Sequence, residues 1–337
     1  MYTSNRLGVS LDSEPQQPKL SLARYLTFPH HRGGWAYALD ALHPLLKPGG
    51  VEVDPFVEAT FNWDLLENER TGKLPYQDDW IAIIHNPPGI PAWHEFDSAP
   101  QSIFKLDAWQ KSAPRCKGIY VFSETMCSLV RQHTDIPVAA AFHPTEPAEN
   151  CFTMENFLAN PMPRIVQVGS WLRRMHSIAR LRVKKLHKTL LAPRVMPDPH
   201  LQTIMEREAR NDPASRNVDW SSVEFLSYRT PGDYDHLLAG NIVFLDLYDT
   251  VVNNTVLECI VRRTPLLINR LPSLVEFLGE DYPLFFNDND LQEASAKAED
   301  LSLIEKAHLH LSAIPVERFS QASFRESVVR AEFYRDL

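Results

Sequence analysis

Short apolar runs, each closed by proline, glycine or a polar turn, alternate along the chain with stretches of helical spacing. In the first half the expected strands are Arg24–Phe28, Val51–Val57, Trp80–His85, Gly118–Ser123 and Val138–Phe142. The helical spacings between them cover Trp35–Leu46, Ser102–Lys111 and Glu124–His133. A second series runs through Arg164–Gly169, Thr189–Pro193, Val223–Ser227, Asn241–Leu247, Pro265–Asn269 and Pro283–Asn287. Strand and helix alternating twice over predicts an α/β protein of two Rossmann-like, doubly wound domains facing an interdomain cleft. The break falls near Cys151–Pro163, where Asn160-Pro-Met-Pro163 places two prolines before a new strand. The expected organisation is therefore a flexible tail over 1–20, a first domain over 21–155 and a second over 156–315. The last segment, 316–337, spaces Phe319, Phe324, Val328 and Phe333 as a helix, packed on the second domain or crossing back to the first.

Composition narrows the classes. The 337 residues carry 34 Lys and Arg against 43 Asp and Glu, a net charge of −9, which argues against a general nucleic-acid binder. No apolar run is long enough to span a bilayer, and the N-terminus lacks the apolar core of a secretory signal. Cys116, Cys127, Cys151 and Cys259 have neither CxxC spacing nor paired histidines, so neither a disulfide framework nor a zinc site is expected. A reducing, cytoplasmic setting follows, with no required cofactor or metal.

The richest segment is Asn241–Glu280: a strand, a polar turn, and a helix opening at Asn253, Asn254 and Thr255. A helix N-terminus at the carboxyl end of a parallel strand presents unpaired N–H groups and partial positive charge, which suits a phosphorylated ligand. Glu258 lies one turn in, on the face of Asn254 and Thr255, where a carboxylate can accept hydrogen bonds from a ribose diol. Asn253, Asn254 and Thr255 are also good capping residues, and capping alone would account for them. Gly169 and Ser170 follow another strand, with Arg173 and Arg174 close behind to grip phosphate oxygens. Arg180, Arg182, Lys184, Lys185 and Lys188 read as one solvated helix face. In the first half, Gly33 and Gly34 open a helix beside the cleft. His85 ends a strand where it is placed for acid–base work or for holding a substrate hydroxyl. His30, His31, His94 and His143 are lesser candidates, His143 as a hinge residue.

Taken together, RIVQVGSWLRR, HRGGWAYAL, VEFLSYRTPGDYDHLLAGNIVFLDL and LECIVRRTPLL resemble the GT-B glycosyltransferases, especially retaining family-four-like (group 1) enzymes. The resemblance covers most of residues 24–290 and is densest between Val223 and Glu280. It implies a ribose contact for Glu258, diphosphate contacts for Asn254 and Thr255, and a nucleobase contact for Tyr228. Gly169, Arg173 and Arg174 would meet phosphates, Gly33 and Gly34 would border the reaction centre, and His85 would stand near the transferred sugar. One position departs: eight residues before Glu258, where the family has a first glutamate, stands Thr250, with Asp249 adjacent. The family's phosphate-loop lysine also has no counterpart, so an arginine must supply that charge.

The expected function is metal-independent transfer of a sugar from a nucleotide-diphosphate donor to the hydroxyl of a saccharide, lipid-linked, protein or other acceptor. His85 or Asp249 would serve as base if the reaction inverts. If it retains, His85 positions the sugar. The rivals are an epimerase or hydrolase of the same fold and a non-catalytic nucleotide-sugar-binding scaffold. A nicotinamide oxidoreductase is disfavoured because no GxGxxG follows any strand.

Overall fold

The computed structural model describes residues 17–22, 34–192, 197–227 and 229–337. Two all-parallel sheets form its frame. The first holds β1 (Leu20–Ser21), β2 (Val51–Asp54), β3 (Trp80–Ile83), β4 (Cys116–Val121) and β5 (Val138–Ala140), side by side in chain order. The second holds β6 (Arg164–Val168), β7 (His187–Leu191), β8 (Val223–Leu226), β9 (Ile242–Leu245), β10 (Leu266–Asn269) and β11 (Phe285–Phe286). Its spatial order is β11-β10-β9-β6-β7-β8. The expected strand at Arg24–Phe28 lies outside the described residues. The strand beside β2 is Leu20–Ser21, in register with Val51 and Glu52.

Every residue of β3, β9 and β10 is buried, because helices cover both faces of a parallel sheet. That explains why these strands read as continuous apolar runs. Each fully buried Leu, Ile or Val contributes roughly 1.5–3 kcal/mol, and two separate clusters of such residues form one core per domain.

Several helices are shorter than their spacing predicts. Trp35–Leu46 divides into a helix Trp35–Asp40 and a 3-10 turn His43–Leu45 containing Pro44. Ser102–Lys111 becomes Pro100–Ile103 and Asp107–Ser112. The basic run after Arg173 is not a helix face. The helix Ser177–Arg180 ends at once, and Lys188 belongs to β7. Its ammonium donates to the carbonyls of Ala179 (2.7 Å) and Leu181 (3.3 Å), so a lysine that looked like surface charge closes a helix end.

The final segment leaves the second core at Phe319 and enters the first with Phe324, Val328, Phe333 and Tyr334. Tyr120 donates to the carbonyl of Val328 at 2.7 Å, and Lys19 donates to that of Arg335 at 2.7 Å. Gly118 has no side chain because the Phe333 ring occupies the space a β-carbon would need. Gly118→Ala should therefore cost about 1–3 kcal/mol by overpacking, read from urea or thermal melts. Pairing it with Phe333→Leu should cost less than the sum of the two single changes. Strict additivity would show that the ring does not rest on Gly118.

Candidate functional site

In the second sheet the chain order reverses between β6 and β9, which are hydrogen-bonded neighbours. At such a switch point the loops leaving the two strands diverge, and a crevice opens at their carboxyl ends. Here the two loops are stitched together at its base. Arg174 N–H donates to the carbonyl of Asp246 (2.7 Å) and Tyr248 N–H to that of Leu172 (3.0 Å). Gly169 has φ +74°, and a β-carbon there would press on the Arg173 guanidinium, so both conformation and space call for glycine.

Arg173 and Arg174, adjacent in sequence, have different partners. The Arg174 guanidinium binds Asp246 (2.6 Å), Asp288 (2.8 Å) and the Leu247 carbonyl (3.0 Å), and it lies over the Tyr248 ring. Its charge is spent on two carboxylates. Arg173 is held only by neutral acceptors: the carbonyls of Val168 (2.9 Å) and Trp171 (2.5 Å) and the Asn253 amide oxygen (3.2 Å). Among the described residues no carboxylate forms an ion pair with it. Burial pushes its pKa down to about 10, opposed by the field of Tyr234 and Glu258, so it remains a cation at neutral pH.

The helix after β9 spans Asn254–Arg262 and is capped by Asn253, whose side chain accepts the Thr255 N–H at 3.0 Å. That bond occupies the Thr255 N–H, and Thr255 itself is buried. Glu258 is 1% exposed and accepts a hydrogen bond from the Tyr234 hydroxyl. Burial raises the tyrosine's pKa well above its usual value, so the phenol remains the donor. Below them, Arg262 pairs with Asp235 at 2.6 Å, with both side chains buried.

Across the crevice stands the carboxyl end of β3. The Nε2 of His85 lies 3.0 Å from the Pro55 carbonyl, which can only accept, so Nε2 carries the proton and Nδ1 is the acceptor. Burial among Trp35, Phe56 and Phe122 pushes the His85 pKa down to about 3. His143, whose Nδ1 lies 2.7 Å from the Pro144 carbonyl, is pushed down to about 4 by the same cause. Both are neutral imidazoles at physiological pH. Behind His85 lies Glu58, 0% exposed, whose Oε1 accepts the N–H groups of His85 (2.7 Å) and Asn86 (2.6 Å). Its Oε2 is buried without a hydrogen-bond partner among the described residues. Burial raises the Glu58 pKa to about 8 against the pull of those N–H groups, so a neutral carboxyl shapes the turn that presents His85.

A cavity of about 350 Å³ separates the two walls. It brings together His85, Arg173, Asp249, Asn253 and Asn254 from the predicted site, with Thr250. Gly34, Gly169, Ser170, Arg174, Thr255 and Glu258 are not among the residues lining it; Gly33 and Tyr228 lie outside the described residues. Asp249 is no free base. Its carboxylate oxygens accept the N–H groups of Gly89 and Thr250, each at 2.8 Å, so it ties the first domain's Pro88–Gly89 turn to the second domain. A larger groove, about 850 Å³, runs between β5 and the C-terminal segments, at the edge of a sheet whose strands follow chain order without a reversal.

Sequence reasoning missed Trp35, Phe56, Trp63 and Trp171 on the walls, together with Glu58 and Tyr234. The signal for the aromatics was their density around the predicted turns, Trp35 beside Gly34 and Trp171 beside Ser170. Nothing in the sequence marked Glu58 as buried.

These two domains, with parallel sheets and a crevice at the second sheet's switch point, have the GT-B glycosyltransferase fold. Among solved structures the chain resembles Anabaena HepE in complex with UDP-glucose (TM-score 0.55, 13% identity, covering 77% of this chain and 72% of that one). It also resembles an α,α-trehalose-phosphate synthase (UDP-forming) from Burkholderia xenovorans in complex with glucose-6-phosphate (0.53, 14%, 88% and 76%). A third is S. aureus TarM with fondaparinux, α-GlcNAc-glycerol and UDP (0.56, 11%, 88% and 58%). No protein-family model and no curated protein sequence matches the chain.

Glu58 carries a pH prediction. Its folded pKa lies above the unfolded value, so its contribution to stability is complete below about pH 4.5 and is lost as pH rises through about 8. His85 and His143 act oppositely, because their folded pKa values are depressed. In Glu58→Gln the first effect disappears, so the variant should gain stability relative to wild type as pH rises from 5 to 9. Parallel denaturation curves across that range would show that the carboxyl does not titrate in this way.

Proposed function

We propose that the protein transfers a sugar from a nucleoside-diphosphate sugar to an acceptor hydroxyl, binding the donor on its second domain and the acceptor on its first. The observation that carries this reading is Arg173: a cation with no ion-pair partner among the described residues, beside a helix N-terminus, at the switch-point crevice. The missing partner is an anion, and a diphosphate fits both the charge and the positive end of the helix dipole. The structural neighbours in complex with UDP or UDP-glucose make UDP-sugars the first donors to test. Glu258, buried behind the cavity wall and bonded to Tyr234, would receive the ribose hydroxyls only after Tyr234 gives way, and Tyr228 would adjoin the base.

In the transfer, the bond between the anomeric carbon and the diphosphate oxygen breaks, and its electron pair leaves with the phosphate. The acceptor oxygen bonds to the anomeric carbon, and its proton passes to the departing phosphate. Arg173 and the positive end of the helix dipole stabilise the negative charge as it develops, in a metal-independent step. His85, neutral and with Nε2 committed to Pro55, positions a hydroxyl through Nδ1 rather than supplying a proton. The setting is cytoplasmic, consistent with four unpaired cysteines. Among the described residues no helix is long and apolar enough to cross a membrane.

One feature favours a second reading, binding without turnover: Thr250 lines the cavity where the resembling family has a glutamate. Incubation with UDP-, GDP- and dTDP-sugars, following free nucleotide, separates the two. Acceptor-dependent release supports transfer, acceptor-independent conversion of the sugar marks an epimerase or hydrolase, and binding with no product marks a scaffold. For transfer, His85→Ala should lower kcat by about tenfold, the scale of one lost hydrogen bond, while UDP affinity holds. Since His85 stays neutral down to about pH 3, no step near pH 6.5 in the kcat profile should vanish with it. Loss of such a step would make His85 a proton-transfer group instead.

A further inference from the structure

Trp63 is 47% exposed although it lines the cavity and is anchored at two edges. It ends a π-helical turn, Ala59–Trp63, which follows directly on the buried Glu58. Its Nε1 donates to the Glu95 Oε2 at 3.2 Å. Its ring stands edge-on to Phe56, centroids 5.2 Å apart at 88°, and Phe56 in turn packs against His85 at 4.3 Å. An aromatic ladder thus runs from solvent to the neutral histidine at the reaction end of the cavity. A tryptophan fixed in this way loses little entropy on binding a ligand and offers a rigid apolar surface.

We propose that Trp63 is the platform for a neutral saccharide acceptor, an assignment of acceptor class that rests on the glycosyl-transfer reading above. A pyranose ring has an apolar face of C–H groups and a rim of hydroxyls. The tryptophan ring matches the face, and the Glu95 carboxylate at its edge accepts from the rim in charge-assisted hydrogen bonds. The charge around the platform selects against anions. Asp64 and Glu67 flank Trp63 in the chain, and Glu95 and Asp97 flank it from the neighbouring loop. A sugar phosphate or an anionic lipid headgroup would meet these carboxylates, whereas an uncharged glycan would not. The site thereby differs in expected preference from the structural neighbour that is in complex with glucose-6-phosphate.

The test is direct binding, independent of turnover. Maltotriose, cellotriose and chitotriose are titrated against wild type, Trp63→Ala and Trp63→Tyr by calorimetry, beside glucose 6-phosphate and phosphatidylglycerol vesicles. At least one neutral trisaccharide should bind wild type, weaken by about tenfold or more in Trp63→Ala, and recover most of its affinity in Trp63→Tyr. A UDP-induced rise in melting temperature in Trp63→Ala checks that the fold and the donor wall are intact. The proposal is overturned if no trisaccharide binds, if Trp63→Ala binds as well as wild type, or if glucose 6-phosphate or the vesicles are the Trp63-dependent ligands. Absence of UDP binding in wild type would sink the donor reading while leaving the saccharide result interpretable.

Discussion

The candidate site depends on the buried pairing of Arg174 with Asp246. Asp246 leaves β9 with 1% exposure and binds both the guanidinium at 2.6 Å and the Ser177 hydroxyl at 2.6 Å. The same guanidinium reaches Asp288 beyond β11, while Asn269 at the end of β10 exchanges hydrogen bonds with the backbone of Leu247. Four strand ends are therefore tied to one charge. Breaking a buried pair by removing one partner typically costs about 3–5 kcal/mol, so this knot is expensive to lose. Arg174 takes both carboxylates, and among the described residues Arg173 forms no ion pair. Arg173 turns to the opposite side, braced by two carbonyls and the helix cap.

The two walls of the cavity consequently differ in character. The second-domain wall carries a cation and a helix N-terminus. The first-domain wall, among the described residues, presents aromatic rings and two neutral histidines, with an uncharged Glu58 behind them. Two carboxylates hold the walls together across the domain boundary: Asp249 on the Gly89 N–H, and Glu276 on the N–H groups of Glu124 and Thr125 at 2.8 and 2.9 Å. All three are hydrogen bonds from backbone amides to a carboxyl oxygen, and they link the domains without burying much surface.

The parallel α/β architecture was legible because buried strands are written as apolar runs between turns, and β6, β9 and β10 fell within their expected segments. The turn after β9 was legible for the same reason. What failed to show was partner identity. Arg173 and Arg174 are the same residue type side by side, and only Asp246 and Asp288, from distant strands, distinguish their roles. Lys188 looked like one more charge on a helix until β7 claimed it. Glu58, within Phe56-Val-Glu-Ala59, carries no mark of burial in the sequence, because its partners are the N–H groups of His85 and Asn86, far along the chain. The aromatic wall escaped notice because tryptophan is equally at home in a core.

The central claim is that Arg173 is the unpaired cation of an anion site. Calorimetric titration of UDP and of uridine into wild type and Arg173→Met tests it most directly, since the two ligands differ by the diphosphate alone. Hydrogen bonds to a charged group are each worth about 1.5–3 kcal/mol, so the variant should lose UDP affinity by about tenfold or more. Its affinity for uridine should stay as in wild type. Equal losses for both ligands, or no loss for UDP, would contradict the account.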